Sequence, residues 1–335
     1  MATLSVVNPT LADVAKATDP DGKIATIVEI LNETNEILDD MVWVEGNLPT
    51  GHRTSIRSGL PTPTWRKLYG GVQPNKATNV QVTDTTGMLE AYAEIDKALA
   101  DLNGNTSAFR MSEDRAHIEG MSQEFSDTLI YGNEGTTPEE FTGFAPRFND
   151  ITGPANADNI IDGGGTGADN NSIWLISWGS DTVHGIYPKG SKAGLQFSDK
   201  GQVTLEDASG GSNSGRMEAY RSHYRWDCGI SVRDWRYVVR IGNLDQSLYT
   251  GDKSGTSADL TDLMAQAIEL LPNQSKGKPA FYMNRGTRSV LRRQIANTSN
   301  VNLNMDEVGG KKVMTFDGIP VRRCDSLTSA EARIV

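Results

Sequence analysis

Cysteine is nearly absent from this chain. Cys228 and Cys324 are the only two in 335 residues, too few for a disulfide scaffold, and they read as reduced thiols of a cytosolic protein. Histidine is scarce as well. His52, His117, His184 and His223 are widely scattered, and neither cysteine has a partner at ligand spacing, which leaves no local metal motif. No segment approaches the roughly 20 apolar residues of a membrane span. The first residues, MATLSVVNPTLADVAK, lack the basic start and apolar run of a secretory signal. Excess cation is missing too: the net charge is −11, whereas a dedicated binder of the nucleic-acid backbone needs clustered positive charge.

Catalytic patterns are equally thin. No serine sits in a Gly-x-Ser-x-Gly elbow. The glycine-rich GGGTG at Gly163–Gly167 is not followed by Gly-Lys-Ser/Thr, so a phosphate loop is not expected there, nor at SGGSNSG, Ser209–Gly215. Glu139 and Glu140 adjoin in a loop, where solvation is the ordinary role of such a pair. The expectation is a protein without enzymatic activity and without a cofactor, and without a catalytic or metal-ligating residue.

What the chain does have is a segregation of charge. The first 50 residues hold nine acidic and two basic side chains, whereas Gly46–Thr83 contains no acid and carries Arg53, Arg57, Arg66, Lys67 and Lys76. That basic stretch is rich in Pro, Gly and Thr and includes Trp65 and Tyr69. With strand-like ends at Met41–Glu45 and Asn79–Asp84, it reads as an extended hairpin arm, since a structureless loop of this length is unusual in a compact domain. Opposite charges on extended elements fix register between subunits, and exposed aromatics anchor in a neighbour's groove. Arg53, Arg57, Trp65, Arg66 and Lys67 are therefore the candidate contact residues on the arm. Glu29, Glu33, Glu36, Asp39 and Asp40 are their candidate acidic partners.

Periodicity predicts an amphipathic helix over Ile24–Asp40, a helix over Thr86–Leu102 and a longer one over Thr106–Tyr131. The last would span about 26 residues and about 39 Å, with Gly120 as a point of weakness and Gly132 as a C-terminal cap. Strands are expected at Ile173–Ser177, Thr182–Tyr187, Ala280–Met283, Val313–Phe316 and Ile319–Arg322, the last two joined by an Asp317-Gly318 turn. Alternation of Trp235, Tyr237, Val239 and Ile241 predicts one strand face, with Arg236 and Arg240 on the other. Asp259–Leu271 reads as a helix stopped by Pro272, and Asn284 as the cap of another reaching Ile295. The order is α+β, without regular βα alternation.

Residues 216–240 interleave Arg216, Arg221, Arg225, Arg233, Arg236 and Arg240 with Tyr220, Tyr224, Trp226, Trp235 and Tyr237. Two uses fit such a strip. One is subunit contact, where Arg and aromatics are enriched and where Arg233 and Arg236 become interface candidates. The other is a nucleic-acid-binding module that stacks bases on the aromatics. Glu218, Asp227 and Asp234 within the strip favour ion pairing and hence the first.

Several blocks, in order along the chain, carry a family resemblance. They are the arm-like Val42–Val82, TLIYGN at Thr128–Asn133, FTGFAPRFN at Phe141–Asn149 and GISVRDWRYVVRIGN at Gly229–Asn243. AFYMNRGTRSVLRRQ at Ala280–Gln294 and FDGIPV at Phe316–Val321 complete the set. With these the chain resembles tailed-bacteriophage major capsid proteins of the Hong Kong 97-like fold, most similar to the coat proteins of short-tailed epsilon-15-like phages. The resemblance implies an N-terminal arm at 1–40, an extended E-loop at 41–83 and a peripheral domain at 84–243 with a spine helix at 106–131. It further implies a mainly axial domain at 244–335. The implied function is self-assembly into hexamers and pentamers of an icosahedral shell enclosing double-stranded DNA, which is held without sequence-specific binding. Implied partners are other copies of the chain, with scaffolding, portal and cementing proteins, and no membrane. The implied location is the virion capsid, assembled in the host cytoplasm. A net acidic chain suits a container that repels its packaged polyanion.

Overall fold

A computed structural model describes residues 35–102, 106–206, 215–245, 258–296, 303–308 and 311–335. The elements begin with α1 (Ile37–Asp40), β1 (Trp43–Glu45), β2 (Gly51–Gly59), β3 (Thr78–Asp96), α2 (Lys97–Ala100) and α3 (Thr106–Tyr131). There follow α4 (Phe144–Arg147), β4 (Ile160–Asp162), β5 (Asn170–Trp178), β6 (Val183–Tyr187), β7 (Gln196–Glu206), β8 (Arg216–Val232) and β9 (Val238–Asp245). The chain closes with α5 (Leu260–Glu269), β10 (Lys278–Met283), α6 (Arg285–Ala296), β11 (Leu303–Val308), β12 (Lys311–Phe316) and β13 (Ile319–Arg323). The described residues form two compact units, one from residues 88–125 and 194–227, the other from 35–87, 126–193 and 228–335.

In the larger unit β5 is the central strand. It pairs antiparallel with β9 on one side and with β10 on the other, and β10 pairs parallel with β13. Every residue of β5 is buried, which its near-continuous run SIWLISW allows, because a strand covered on both faces needs no polar alternation. Ile173 and Leu175 belong to a core that takes Leu260, Met264 and Ile268 from α5 and Val290, Leu291 and Ile295 from α6. On the opposite face Trp174 lies 5.7 Å from the Phe144 ring and 6.0 Å from that of Phe148. Burial of such aromatics is worth several kcal/mol in all, at roughly 25 cal/mol per Å².

The buried charges Arg240 and Glu331 in this interior are paired. The Arg240 guanidinium, 4% exposed, sits 5.0 Å from the Trp174 ring centroid. It donates to Ser172 Oγ at 3.1 Å, to the Phe148 carbonyl at 2.7 Å and to Glu331 Oε2 at 2.8 Å. Glu331 also accepts from Ser172 Oγ and, at 2.6 Å, from the Tyr131 hydroxyl. Burial, and next the Glu331 charge, push the Tyr131 phenol far above its usual range. The C-terminal tail is thereby tied to β5, β9 and the end of α3. Asn243 holds it further, donating to the Ile334 carbonyl at 3.0 Å and accepting from the Ile334 amide at 2.8 Å.

In the smaller unit α3 covers the sheet formed by β3, β7 and β8. Phe109 packs with Ile95, Ala100 and Tyr220, and Met121 with Ala93 and Tyr224. Phe125 packs tilted against Trp226, with ring centroids 4.5 Å apart. The helix is unbroken over 26 residues, as the sequence predicts.

Three expectations are corrected. Thr86–Leu102 is the continuation of β3 to Asp96, and only Lys97–Ala100 is helical. Met88, Tyr92 and Ile95 fit a helical period. Yet Leu89, Ala91, Ala93 and Ile95 also alternate with Met88, Glu90, Tyr92 and Glu94, and the neighbouring β8 favours that second pattern by pairing with the strand. Trp235–Tyr237 is a 3₁₀ turn, so β9 begins at Val238 and is covered on both faces; there Arg240 is buried while Arg236 is exposed. Gly132 ends α3 without a left-handed backbone. Its role is close approach, because a Cβ there would meet the Thr128 carbonyl at 2.5 Å and that of Phe141 at 2.7 Å. By contrast the Asp317-Gly318 turn is as expected, with positive φ at both residues (49° and 77°) and Phe316 opposite Ile319. Of the Ile24–Asp40 helix, residues 24–34 lie outside the described residues, and Ile37–Asp40 is helical. The SGGSNSG stretch also lies outside them, up to residue 214.

Two measurements check this account. Glu331→Ala, which leaves the Arg240 charge buried without its partner, lowers unfolding free energy by about 3–5 kcal/mol, whereas Arg240→Met with Glu331→Leu loses much less. Denaturant titration of the purified subunit reads both. Gly120→Ala raises stability by up to ~1 kcal/mol, since a Cβ at Gly120 meets nothing within 4 Å; thermal melts read it.

Candidate functional site

The basic stretch forms a hairpin. β2 and β3 pair antiparallel from Gly51 opposite Thr85 to Gly59 opposite Thr78, with an irregularity between Arg57 and Gly59. Thr, Val and Ser along both strands suit such a ribbon. Pro61, Pro63 and Pro74 remove backbone donors beyond it, so the ladder stops. Residues 60–77 are almost wholly exposed, including Trp65, Leu68 and Tyr69. Local bonds shape this tip: Arg66 Nε donates to the Gly70 carbonyl at 2.9 Å, and the Gly70 amide to the Lys67 carbonyl at 3.1 Å. Tyr69 adopts φ 61°, a left-handed conformation that costs a bulky residue about 1–2 kcal/mol. The turn thus presents Trp65, Arg66, Lys67 and Tyr69 to solvent. Arg53 and Arg57 share the exposed face of β2, and Arg53 Nε donates to Thr83 Oγ1 at 3.2 Å.

The hairpin base is fixed by Asp84, the first acid after the acid-free run. Asp84 is 2% exposed and accepts from Arg147 Nη1 and from Ser231 Oγ, both at 2.8 Å. Arg147 in turn donates to the Thr142 carbonyl. Beside this group the rings of His52 and His184 meet edge to face at 5.8 Å. Burial, then the neighbouring His52 and Arg233, hold His184 down to about 4, with Asp84 opposing. His52 is lowered as well, by burial and then by Arg233, with Asp84 opposing. Arg233 itself donates to the Ser180 carbonyl at 3.0 Å and to Asp181 at 3.1 Å.

The acidic candidates lie elsewhere. Asp40 Oδ1 is 3.1 Å and Glu36 3.7 Å from the Arg322 guanidinium on β13. Asp40 Oδ2 also accepts from the Tyr282 hydroxyl at 2.8 Å, which itself accepts from Trp178 Nε1 at 2.7 Å. Asp39 is exposed, and Glu29 and Glu33 lie outside the described residues. Within one subunit, then, the acids are not brought to Arg53 and Arg57. Asp84, Arg147 and Arg322, which hold these parts in place, escaped the sequence reading. The lone acid closing a basic run was the one available signal.

The Arg–aromatic strip is no basic platform. Arg221 meets Glu94 at 2.6 Å, and Arg225 meets Asp227 at 2.8 Å and Glu90 at 3.6 Å. Arg236 is bidentate on Asp234 at 2.8–2.9 Å, and Arg240 holds Glu331. Tyr220, Tyr224 and Trp226 pack under α3, so they offer no free rings for base stacking.

Among the described residues no group of three or more His, Cys, Asp and Glu is placed to hold a metal, and no helix is long and apolar enough to cross a membrane. The prominent features are an exposed hairpin and well-tied strands, which define a structural protein that works through its surfaces. Comparison makes this specific. The family described as major capsid protein GP7 matches residues 19–335. A chain in the near-atomic structure of bacteriophage epsilon15 is 39% identical, with full coverage of both chains and a TM-score of 0.77. The bacteriophage JBD30 capsid aligns more remotely, at 10% identity over 96% of this chain and 99% of that one, with a TM-score of 0.46. No curated protein matches. The chain belongs to the GP7 major capsid protein family: it has the Hong Kong 97-like fold and forms phage capsid shells. The nucleic-acid-binding alternative has no support.

His184 gives a pH test. Its folded pKa lies below the unfolded value of 6.5, so its neutral form is favoured by folding. That contribution is complete above about pH 6.5 and is lost as pH falls toward 4. Thermal melts of the subunit drop over this window, and His184→Leu flattens the drop.

Proposed function

We propose that the chain builds hexamers and pentamers of an icosahedral shell around double-stranded DNA, with the hairpin as its reaching element. Residues 1–40 act as the N-terminal arm, 41–83 as the E-loop, 84–243 as the peripheral domain with its spine helix at 106–131, and 244–335 mainly as the axial domain. The protein is non-catalytic and binds no cofactor. Assembly takes place in the host cytoplasm, with scaffolding, portal and cementing proteins as accessory partners, and DNA is enclosed without sequence-specific contact.

The observation that carries this reading is the exposure of residues 60–77, where Trp65, Leu68 and Tyr69 stand almost entirely in solvent. Apolar side chains so presented mark an interaction surface, and aromatics of this kind concentrate binding energy when a partner covers them. Arg53, Arg57, Arg66 and Lys67 flank them and steer the arm onto acidic residues of another copy. Asp39, Glu29 and Glu33 serve there, with Glu36 and Asp40 holding Arg322 within their own subunit. Arg233 and Arg236 lie at further contacts.

Charge reversal of both Arg53 and Arg57 to Glu tests the arm. The expected outcome is loss of capsomers and shells in sedimentation velocity and negative-stain images, with circular dichroism unchanged. Normal particles from this double variant would remove the arm from the assembly mechanism.

A further inference from the structure

A second pair of surfaces stands apart from the arm. An open groove of about 690 Å³ lies between β4, the end of α5 and the β12–β13 turn. Ile160, Ile161 and Leu270 contribute to its walls, and Asp158, Glu269 and Asp317 to its rim; no base lines it. Asp158 and Glu269 are exposed, and among the described residues neither they nor Asp317 have an ion pair. The helix beside α5 has the opposite character. Thr287, Val290, Leu291, Gln294 and Ile295 turn the inner face of α6 into the core. Its outer face carries Arg288, Arg292 and Arg293, and the helix contains no acid. Arg285 at its start is held by Asp325 at 2.9 Å, whereas the other three have no ion pair among the described residues.

We infer that the Arg288–Arg292 face of α6 docks into this acidic groove on a second copy of the chain. The inference rests on the coat-protein reading above and names a contact within it. Residues 288 and 292 are one helical turn apart and project together. Arginine suits the groove because its apolar stem covers the isoleucines while its head reaches the carboxylates at the rim. A copy carrying net charge −11 repels its neighbours, and a local pairing of opposite signs overcomes that repulsion and selects one orientation. Groove and helix are different patches of one subunit, so the contact is heterologous. Repeated head to tail with a rotation that closes, such a contact builds a ring.

Two charge-reversed full-length chains test it: Arg288→Glu with Arg292→Glu, and Asp158→Lys with Glu269→Lys. Each alone juxtaposes like charges, and its capsomer fraction in sedimentation velocity and native mass spectrometry falls by roughly tenfold or more relative to the parent. Mixed in equal amounts, the two recover rings, because each variant's altered patch complements the other's. The recovered rings have even subunit numbers, since only an alternating arrangement pairs every contact. Variants that assemble as the parent does, or a mixture that recovers nothing while both chains keep native circular dichroism, would overturn the contact. Assembly left intact with loss of binding to a labelled DNA duplex would assign the arginines to nucleic acid and overturn it equally. Failure of the parent to oligomerise at all is a different result, which defeats the coat reading itself.

Discussion

A buried ion pair between Arg240 and Glu331 organises the larger unit. An arginine in the middle of a buried strand carries a desolvation cost of several kcal/mol, and close carboxylate and carbonyl partners offset it. Those partners arrive from three places: the tail through Glu331, the strand β5 through Ser172 and the segment after α4 through the Phe148 carbonyl. None can move far without leaving the guanidinium less compensated, and α3 joins them indirectly, because Tyr131 donates to Glu331. The pair therefore contributes less to net stability than to uniqueness, since it admits one arrangement of tail, helix end and central strand.

Rigidity at that centre has a counterpart in the hairpin. Its base is fixed by Asp84 between Arg147 and Ser231, a second case of a buried carboxylate saturated with donors. Beyond the base the ladder gives way to prolines and fully exposed aromatics. A monomer gains nothing by leaving Trp65 and Tyr69 in water, and Tyr69 adopts a strained backbone as well. Apolar side chains so exposed have the character of an interaction surface, and the saturated base holds the hairpin that presents them.

Charge follows the same division. In the strip 216–240 all the arginines except Arg216 meet carboxylates of their own subunit, so what looks like a basic surface in one dimension is neutralised in three. Arg288, Arg292 and Arg293 on α6 are arranged differently, half-buried at Arg288 and exposed at Arg292 and Arg293 along a helix without acids. Positive charge on an acidic coat subunit is informative only after its intramolecular partners are known.

Much of this was legible from the residues. The 26-residue α3, the buried β5, the Asp317-Gly318 turn and the cap at Asn284 follow from local pattern, as does the family resemblance carried by ordered blocks along the chain. The strand at Leu89–Ile95 was misread because two periods fit the same residues, and only the adjacent β8 favours alternation over a helical stripe. The sequence by itself determined the segregation of charge, the exposed aromatics of the arm and the local elements, because these depend on neighbours a few positions away. Tertiary structure alone decided which charges are neutralised, which carboxylates hold the hairpin, and where the acidic groove lies relative to α5 and α6. Those outcomes depend on partners such as Arg240 and Glu331, which are remote in the chain and meet only when burial makes an unpaired charge too costly to keep.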